Sequence, residues 1–363
     1  MFIGIPSVVI LITGIILAVC LSPEPPLEEI SDARKALMQA KRNHSNHYSQ
    51  QLFRESETLY DSAMKAWGME NKKLFFRRNY RMARECAMLA EIKAREAWNE
   101  AANGSKLMRE QLRKSIDSLH LRIADYQSLF SRIPLRPEIA RKITHGRMLL
   151  TEGRLAYEKH DYIASRQKVE LASRYIHESY QDVNTLLKKY FDNYPKWMRW
   201  VDDMKNRSMT DSTRFILVEK FARRCYLYEN GQLKKTFPVE LGQYWLGDKR
   251  YSGDKATPEG TYRIVKKLEG KQTRYHKALL LDYPNEEDKR AFAEEKSNGS
   301  LPRTAKIGGL IEIHGGGGRG VDWTEGCIAL TNKDMDSLYV YAGQDMEVLI
   351  IGSLKKLSQT LKR

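Results

Sequence analysis

Apolar and polar positions divide this chain into three regimes. Residues 1–22 carry no charged side chain and consist mostly of Ile, Leu, Val and Gly. That run is about the length needed to span a bilayer. Residues 27–133 contain no proline, and only Gly68 and Gly104 interrupt them, so long helices are expected. Ala83, Ala87, Ala90, Ala94, Ala97 and Ala101 recur at spacings of four and three, as do Leu112, Ile116, Leu119, Ile123, Tyr126 and Phe130. Such heptad-like stripes are core-facing, and small alanines let helices approach closely. From Arg214 onward the period shortens to that of strands. The predicted fold is α+β: an N-terminal membrane segment, an antiparallel α-helical region resembling hairpins or coiled coils, then a mainly β domain. The expected boundaries are 1–22, 30–205 and 213–352.

Within the helical part, Asn79-Tyr80 followed by Ala83-Arg84 and Ala87 parallels Asp161-Tyr162 followed by Ser165-Arg166 and Val169. This echoes tetratricopeptide-like hairpins, but the separation is no regular repeat period. Pro134 and Pro137 mark a break, and residues 206–213 read as the linker to the last domain. Cys86, with Met82 and Leu89 at helical spacing, reads as buried and inert. The role of this half is not encoded in its pattern. A spacer, a wall-binding module and a dock for an unknown protein partner are all compatible with it.

The β part holds the candidate chemistry. Phe215 to Glu219 and Arg224 to Tyr228 read as strands, with Asn230-Gly231 as a hairpin turn. Leu310-Ile311-Glu312-Ile313 is expected to run as a strand into His314, after which Gly315 to Gly318 makes a loop. Ile328-Ala329-Leu330 resumes apolar character, and Thr331 is placed to cap a helix. A cysteine needs a base or an electropositive setting to become a thiolate at neutral pH, so Cys327 is expected to be more acidic than a free thiol. Gly326 permits close backbone approach and leaves N–H groups for a developing oxyanion. On their own, one His and one Cys are more often ordinary structural residues. No C-x-x-C pair is present, and no metal site is expected. The four cysteines, at 20, 86, 225 and 327, are too scattered for a disulfide framework.

The ordered blocks Leu227-Tyr228, Pro238-Val239-Glu240-Leu241-Gly242, Thr257-Pro258-Glu259-Gly260-Thr261-Tyr262-Arg263-Ile264, His314-Gly315 and Thr324-Glu325-Gly326-Cys327-Ile328-Ala329-Leu330 resemble the YkuD-type L,D-transpeptidase catalytic domain. The resemblance covers about 140 residues from Arg214. It implies action on peptidoglycan stem peptides, with Cys327 as nucleophile, His314 as base, and the backbone N–H groups of Gly326 and Cys327 as oxyanion donors. Gly315 and Gly316 would orient the imidazole, and Thr324 sits beside the nucleophile. Glu325 reads as a solvated charge. Tyr275 and His276 are candidates for the cleft, although an ordinary strand entry is the more economical explanation of both. No cofactor is implied. Two features depart from the pattern. Ala329 stands where many transpeptidases carry Arg, and the Gly-rich gap after His314 is short. Both resemble the YafK-like branch, which includes hydrolytic members. Transpeptidation, an L,D-carboxypeptidase-like hydrolysis and a non-catalytic wall-binding scaffold therefore stay open.

Charge changes the picture least. The 363 residues carry 61 Lys and Arg against 46 Asp and Glu, a formal net charge of +15. No zinc-finger, RNP or helix-turn-helix signature accompanies it, so no nucleic-acid partner is expected. The cell wall and membrane headgroups are the natural anionic partners, and a merely solvated basic face is the alternative. The apolar N-terminus lacks a basic n-region, which favours an uncleaved membrane anchor. Leu17-Ala18-Val19-Cys20 only faintly resembles a lipobox. Glu24, Glu28 and Glu29 follow the run and no Lys or Arg precedes it, so orientation is weakly encoded. The resemblance places the expected location in the cell envelope, membrane-anchored, with the catalytic domain outside the cytoplasm.

Overall fold

The computed structural model describes residues 23–361. They divide into two compact units, one built from the described residues up to Ser118 with Leu150–Glu170, the other from Leu119–Leu149 with Leu171 to the C-terminal end. The helices are α1 (Leu27–Arg42), α2 (Ser45–Tyr48), α3 (Gln50–Asn71), α4 (Arg81–Phe130), α5 (Pro137–Glu158), α6 (Tyr162–Phe191) and α7 (Tyr194–Thr210). In the first unit the alanine stripe of α4 is buried. Ala87 and Ala90 pack with Ile30, Ala33 and Ala63 of α1 and α3. Methyl-sized side chains let these backbones come close, as the spacing predicts. Cys86 is only half-buried, and Met82 and Leu89 are exposed, so the expectation of a buried Cys86 is corrected.

Among the described residues no helix is long and apolar enough to cross a membrane. The long helices carry charge at nearly every turn, as Arg81, Arg84, Glu85, Arg109, Glu110, Arg113 and Lys114 do along α4. The segment expected to span, 1–22, lies outside the described residues. The fold is therefore corrected to a mostly helical N-terminal region followed by a β domain. The expected transmembrane segment, membrane partner and membrane-anchored location find no support in it.

The second unit is built on one eight-stranded sheet in the order β3-β2-β1-β8-β4-β5-β6-β7. Its strands are β1 (Arg214–Glu219), β2 (Arg224–Glu229), β3 (Gln232–Pro238), β4 (Gly260–Glu269), β5 (Lys277–Leu281), β6 (Glu312–His314), β7 (Ile328–Ala329) and β8 (Glu347–Ile351). Helices α8 (Glu286–Ser297), α9 (Asn332–Tyr341) and α10 (Leu357–Thr360) complete it. The β1–β8 and β6–β7 pairs are parallel. β1 is buried along nearly its whole length, as expected for a central strand. The linker expected at 206–213 is shorter, because α7 runs to Thr210. Trp197, Val201 and Met204 of α7 are buried in the same core as the sheet.

A buried ion pair joins the late helices to this sheet. Lys220 Nζ lies 2.8 Å from Glu259 Oε1, with both side chains almost fully enclosed. Tyr190 Oη donates to Glu259 Oε1 at 2.9 Å and Trp197 Nε1 to Oε2 at 3.1 Å. Lys220 also donates to the Thr257 carbonyl at 2.7 Å. A buried carboxylate is tolerable only when its lone pairs are taken up in this way.

Candidate active site

His314 ends β6 between two neighbours. It pairs with Ala278 of β5 and, in parallel, with Ala329 of β7. Cys327 directly precedes β7, one residue before Ile328, which pairs with Ile313 next to His314. The predicted strand into His314 is shorter than expected. It starts at Glu312, because Leu310 adopts a positive φ of 57°.

The imidazole is fully buried. Its Nδ1 lies 2.7 Å from the Gly315 carbonyl oxygen, which only accepts, so Nδ1 carries the proton. Nε2 is then a lone pair, buried and without a hydrogen-bond partner among the described residues. Burial lowers the His314 pKa to about 4; the Gly315 hydrogen bond opposes this, and the charges of Arg274 and Arg319 add to it. Tyr275 stacks on the ring with centroids 3.5 Å apart and planes 10° from parallel. Trp323 meets it edge-on at 5.9 Å. Each aromatic is held in turn. Arg274 donates to Tyr275 Oη at 2.8 Å, Arg319 lies 3.5 Å over the Trp323 ring, and Trp323 Nε1 donates to Glu240 Oε2 at 2.7 Å.

Cys327 is half-buried, and its thiol faces the Leu310 carbonyl oxygen at 3.6 Å. Desolvation pushes its pKa up, against the Glu312 backbone N–H and the charges of Arg274 and Lys249, which pull it down. The expected acidic thiol is thus corrected: burial outweighs the electropositive setting. The resting pair is a neutral thiol and a neutral imidazole.

Thr324 is the organiser of the cysteine loop. Its hydroxyl donates to the Cys327 carbonyl at 2.6 Å and accepts the Gly326 N–H at 3.2 Å. Of the two expected oxyanion donors, Gly326 N–H is therefore already engaged. Cys327 N–H has no acceptor among the described residues. Gly326 sits at φ 133°, where a Cβ would fall 2.6 Å from the Ala256 carbonyl oxygen and 3.5 Å from Lys249 Nζ. Only glycine fits that conformation and that gap.

Gly315 N–H donates to the Lys277 carbonyl at 3.0 Å, and Gly316 N–H to Asn332 Oδ1 at 2.8 Å. The loop after His314 is thus pinned to β5 and α9. Of the neighbouring candidates, Tyr275 joins the imidazole. His276 instead turns to α9, its Nε2 2.8 Å from Asp336 Oδ1. Glu325 is exposed, 3.5 Å from Lys255 Nζ. Arg274, Arg319, Trp323, Asn332 and the buried Lys249–Asp254 pair at 2.7 Å were not singled out by sequence reasoning. Only Glu240 lay within a recognised block. Among the described residues no group of three or more His, Cys, Asp or Glu is placed to hold a metal ion.

Residues 213–350 match the model of the YkuD family, the L,D-transpeptidase catalytic domain. Similar solved structures include Bd1075 of Bdellovibrio bacteriovorus, at 24% identity with a TM-score of 0.31, over 41% of this chain and 52% of that one. Another is the L,D-transpeptidase of Xylanimonas cellulosilytica, at 12% identity and a TM-score of 0.27, over 39% of this chain and 61% of that one. A third is an L,D-transpeptidase from Mycobacterium smegmatis, at 10% identity and a TM-score of 0.26, over 38% and 58%. The chain thus spans between half and two thirds of the length of these relatives. No curated protein matches it.

Proposed function

We propose, on the premise that residues 213–350 match the L,D-transpeptidase catalytic domain, that this chain modifies peptidoglycan stem peptides through a cysteine acyl-enzyme. The observation that carries this reading is the His314 ring. Its Nδ1 proton is fixed by Gly315, and Nε2 is left buried and unpartnered, on a strand paired with the one that Cys327 leads into. A buried acceptor without a donor is costly in a merely structural histidine. A base awaiting the thiol proton accounts for it.

In this mechanism Nε2 removes the Cys327 proton as Sγ attacks the carbonyl that follows an L-configured centre. The Cys327 N–H stabilises the tetrahedral oxyanion, and Thr324 keeps the loop in shape. The imidazolium passes its proton to the departing amine, and the C–N bond breaks to leave a thioester on Sγ. An incoming amine or water then gives its proton to Nε2 and displaces the thiol, which is reprotonated. Loss of muropeptide turnover in Cys327→Ala and His314→Gln tests the assignment. Turnover at the wild-type rate in either would refute it.

A second reading, hydrolysis as a main outcome, is favoured by Ala329. Its N–H and carbonyl both bond Glu240, at 2.8 and 2.9 Å, and its methyl is buried. No guanidinium is available there to hold an acceptor carboxylate, so the thioester stays open to water for longer. With a tetrapeptide donor and an amine acceptor, tripeptide should at least equal exchange product. Dominant exchange product would argue for transpeptidation instead.

A further inference from the structure

The turn that enters β5 brings a cation against the aromatic neighbour of His314. Arg274 is exposed, and its guanidinium donates to Tyr275 Oη at 2.8 Å and lies 4.9 Å over the Tyr275 ring. That ring stacks on His314 at 3.5 Å. The positive charge of Arg274 also favours the deprotonated forms of both Cys327 and His314. Several arginines of this unit are matched. Arg214, Arg223, Arg250 and Arg263 form ion pairs with Glu229, Asp322, Glu295 and Glu347. Arg274 forms none among the described residues. The acid whose charge it feels, Glu312, is half-buried and is not at ion-pair distance.

A guanidinium has five donors, and the phenol takes one. The hydrogen bond to Tyr275 restrains the guanidinium, so less freedom is lost when it meets a second partner. The ligand that suits such a fork is a planar anion, and a carboxylate is received by two parallel hydrogen bonds. In a tetrapeptide donor the departing residue carries its carboxylate on the carbon bonded to the scissile nitrogen. An anion at Arg274 would therefore lie within a few bonds of the carbonyl that Sγ attacks.

We propose that Arg274 forms a carboxylate-binding site at the mouth of the Cys327 cleft, taking the free carboxylate of the acyl donor beside the scissile bond. The donor's identity rests on the function proposed above; the affinity of the site for a carboxylate does not.

Two alkylating agents separate these claims. Iodoacetate and iodoacetamide react with the same thiolate, forming an S–C bond as iodide leaves, and differ in carrying a carboxylate or a neutral amide. Their rate ratio at Cys327 therefore cancels changes in thiol pKa. In the full chain, with adducts mapped by mass spectrometry, the ratio should exceed that of free glutathione. It should fall about five-fold in Arg274→Gln, the size of one charge–charge contact near water. It should fall less in Arg274→Lys, should hold in Arg319→Gln, and should shrink with added salt. An unchanged ratio in Arg274→Gln, or an equal fall in Arg319→Gln, would overturn the assignment. In a second arm, Arg274→Gln should raise KM for a free-acid tetrapeptide and leave the C-terminally amidated peptide unaffected. Equal KM changes for both would remove the donor carboxylate from the proposal. A ratio that responds to Arg274 in a protein that turns over no muropeptide would keep the carboxylate site and reject the function.

Discussion

Tyr275 and His314 lie face to face, with ring centroids 3.5 Å apart and planes 10° from parallel. The contact fixes the imidazole about the axis that the Gly315 hydrogen bond leaves free. Aromatic pairs of this kind contribute about 0.5–1.5 kcal/mol beyond their buried area. We expect Tyr275→Ala to lower kcat/KM on muropeptides by roughly three- to ten-fold or more. Tyr275→Phe, which keeps the stack and loses the Arg274 hydrogen bond, should fall less. Equal losses in the two variants would assign the role to the hydroxyl instead.

The pH behaviour follows from burial. His314 has a folded pKa of about 4 against an ordinary value of 6.5. Between those values the unfolded chain binds the extra proton, so stability rises with pH. The contribution is complete above about 6.5 and is lost as pH falls toward 4, on the order of 3 kcal/mol in all. Denaturant unfolding of wild type and His314→Gln from pH 7 to pH 4 should show the wild type losing more. Parallel curves would contradict a buried neutral imidazole.

The thiols should separate by alkylation. Cys327 has a pKa raised by desolvation, so its iodoacetamide rate should keep rising with pH beyond the range where an unperturbed thiol levels off. Cys225 is buried, with its pKa pushed up to about 12, and should stay unlabelled in the folded chain. A Cys327 rate that levels off below pH 8 would restore the acidic thiol that the motif suggested.

The cysteine loop has little tolerance. Gly326→Ala places a methyl 2.6 Å from the Ala256 carbonyl in a backbone conformation that L-residues rarely adopt. Turnover should drop at least about tenfold with far-UV circular dichroism unchanged, because one kcal/mol or more of strain displaces the nucleophile. Wild-type turnover in this variant would show that the loop relaxes at no cost to the chemistry.

The late helices are part of what holds the sheet. Lys220→Met leaves the Glu259 carboxylate with only Tyr190 and Trp197 as side-chain donors, in a buried setting. Breaking one half of a buried pair costs about 3–5 kcal/mol. Lys220→Met should therefore unfold at markedly lower urea, and Lys220→Met/Glu259→Gln should recover part of the loss. A single-variant cost below about 1 kcal/mol would place the pair on the side of surface ion pairs.

Much of the candidate site was legible because its signals are local. His314 at a strand end, glycines after it and Gly-Cys before an apolar pair are all readable within one short segment. The alanine stripe of α4 was equally plain, since helical spacing alone selects its face. Other features needed three dimensions. Thr324 takes the Gly326 N–H because the loop folds back on itself, which residue types do not reveal. Arg274, Arg319 and Lys249 are ordinary cations in sequence, and only folding brings their charge to bear on His314 or Cys327. The same limit explains the thiol. A motif displays its neighbouring base, but not the desolvation that outweighs it.

The central claim is that Cys327 carries an acyl group from a stem peptide. Intact-mass analysis of the full chain, quenched in acid during turnover of a tetrapeptide muropeptide, tests it most directly. The account predicts an adduct of the donor's acyl mass, mapped to the peptide containing Cys327, labile to hydroxylamine and absent in Cys327→Ala. Turnover with no adduct on Cys327, persisting in Cys327→Ala, would contradict it.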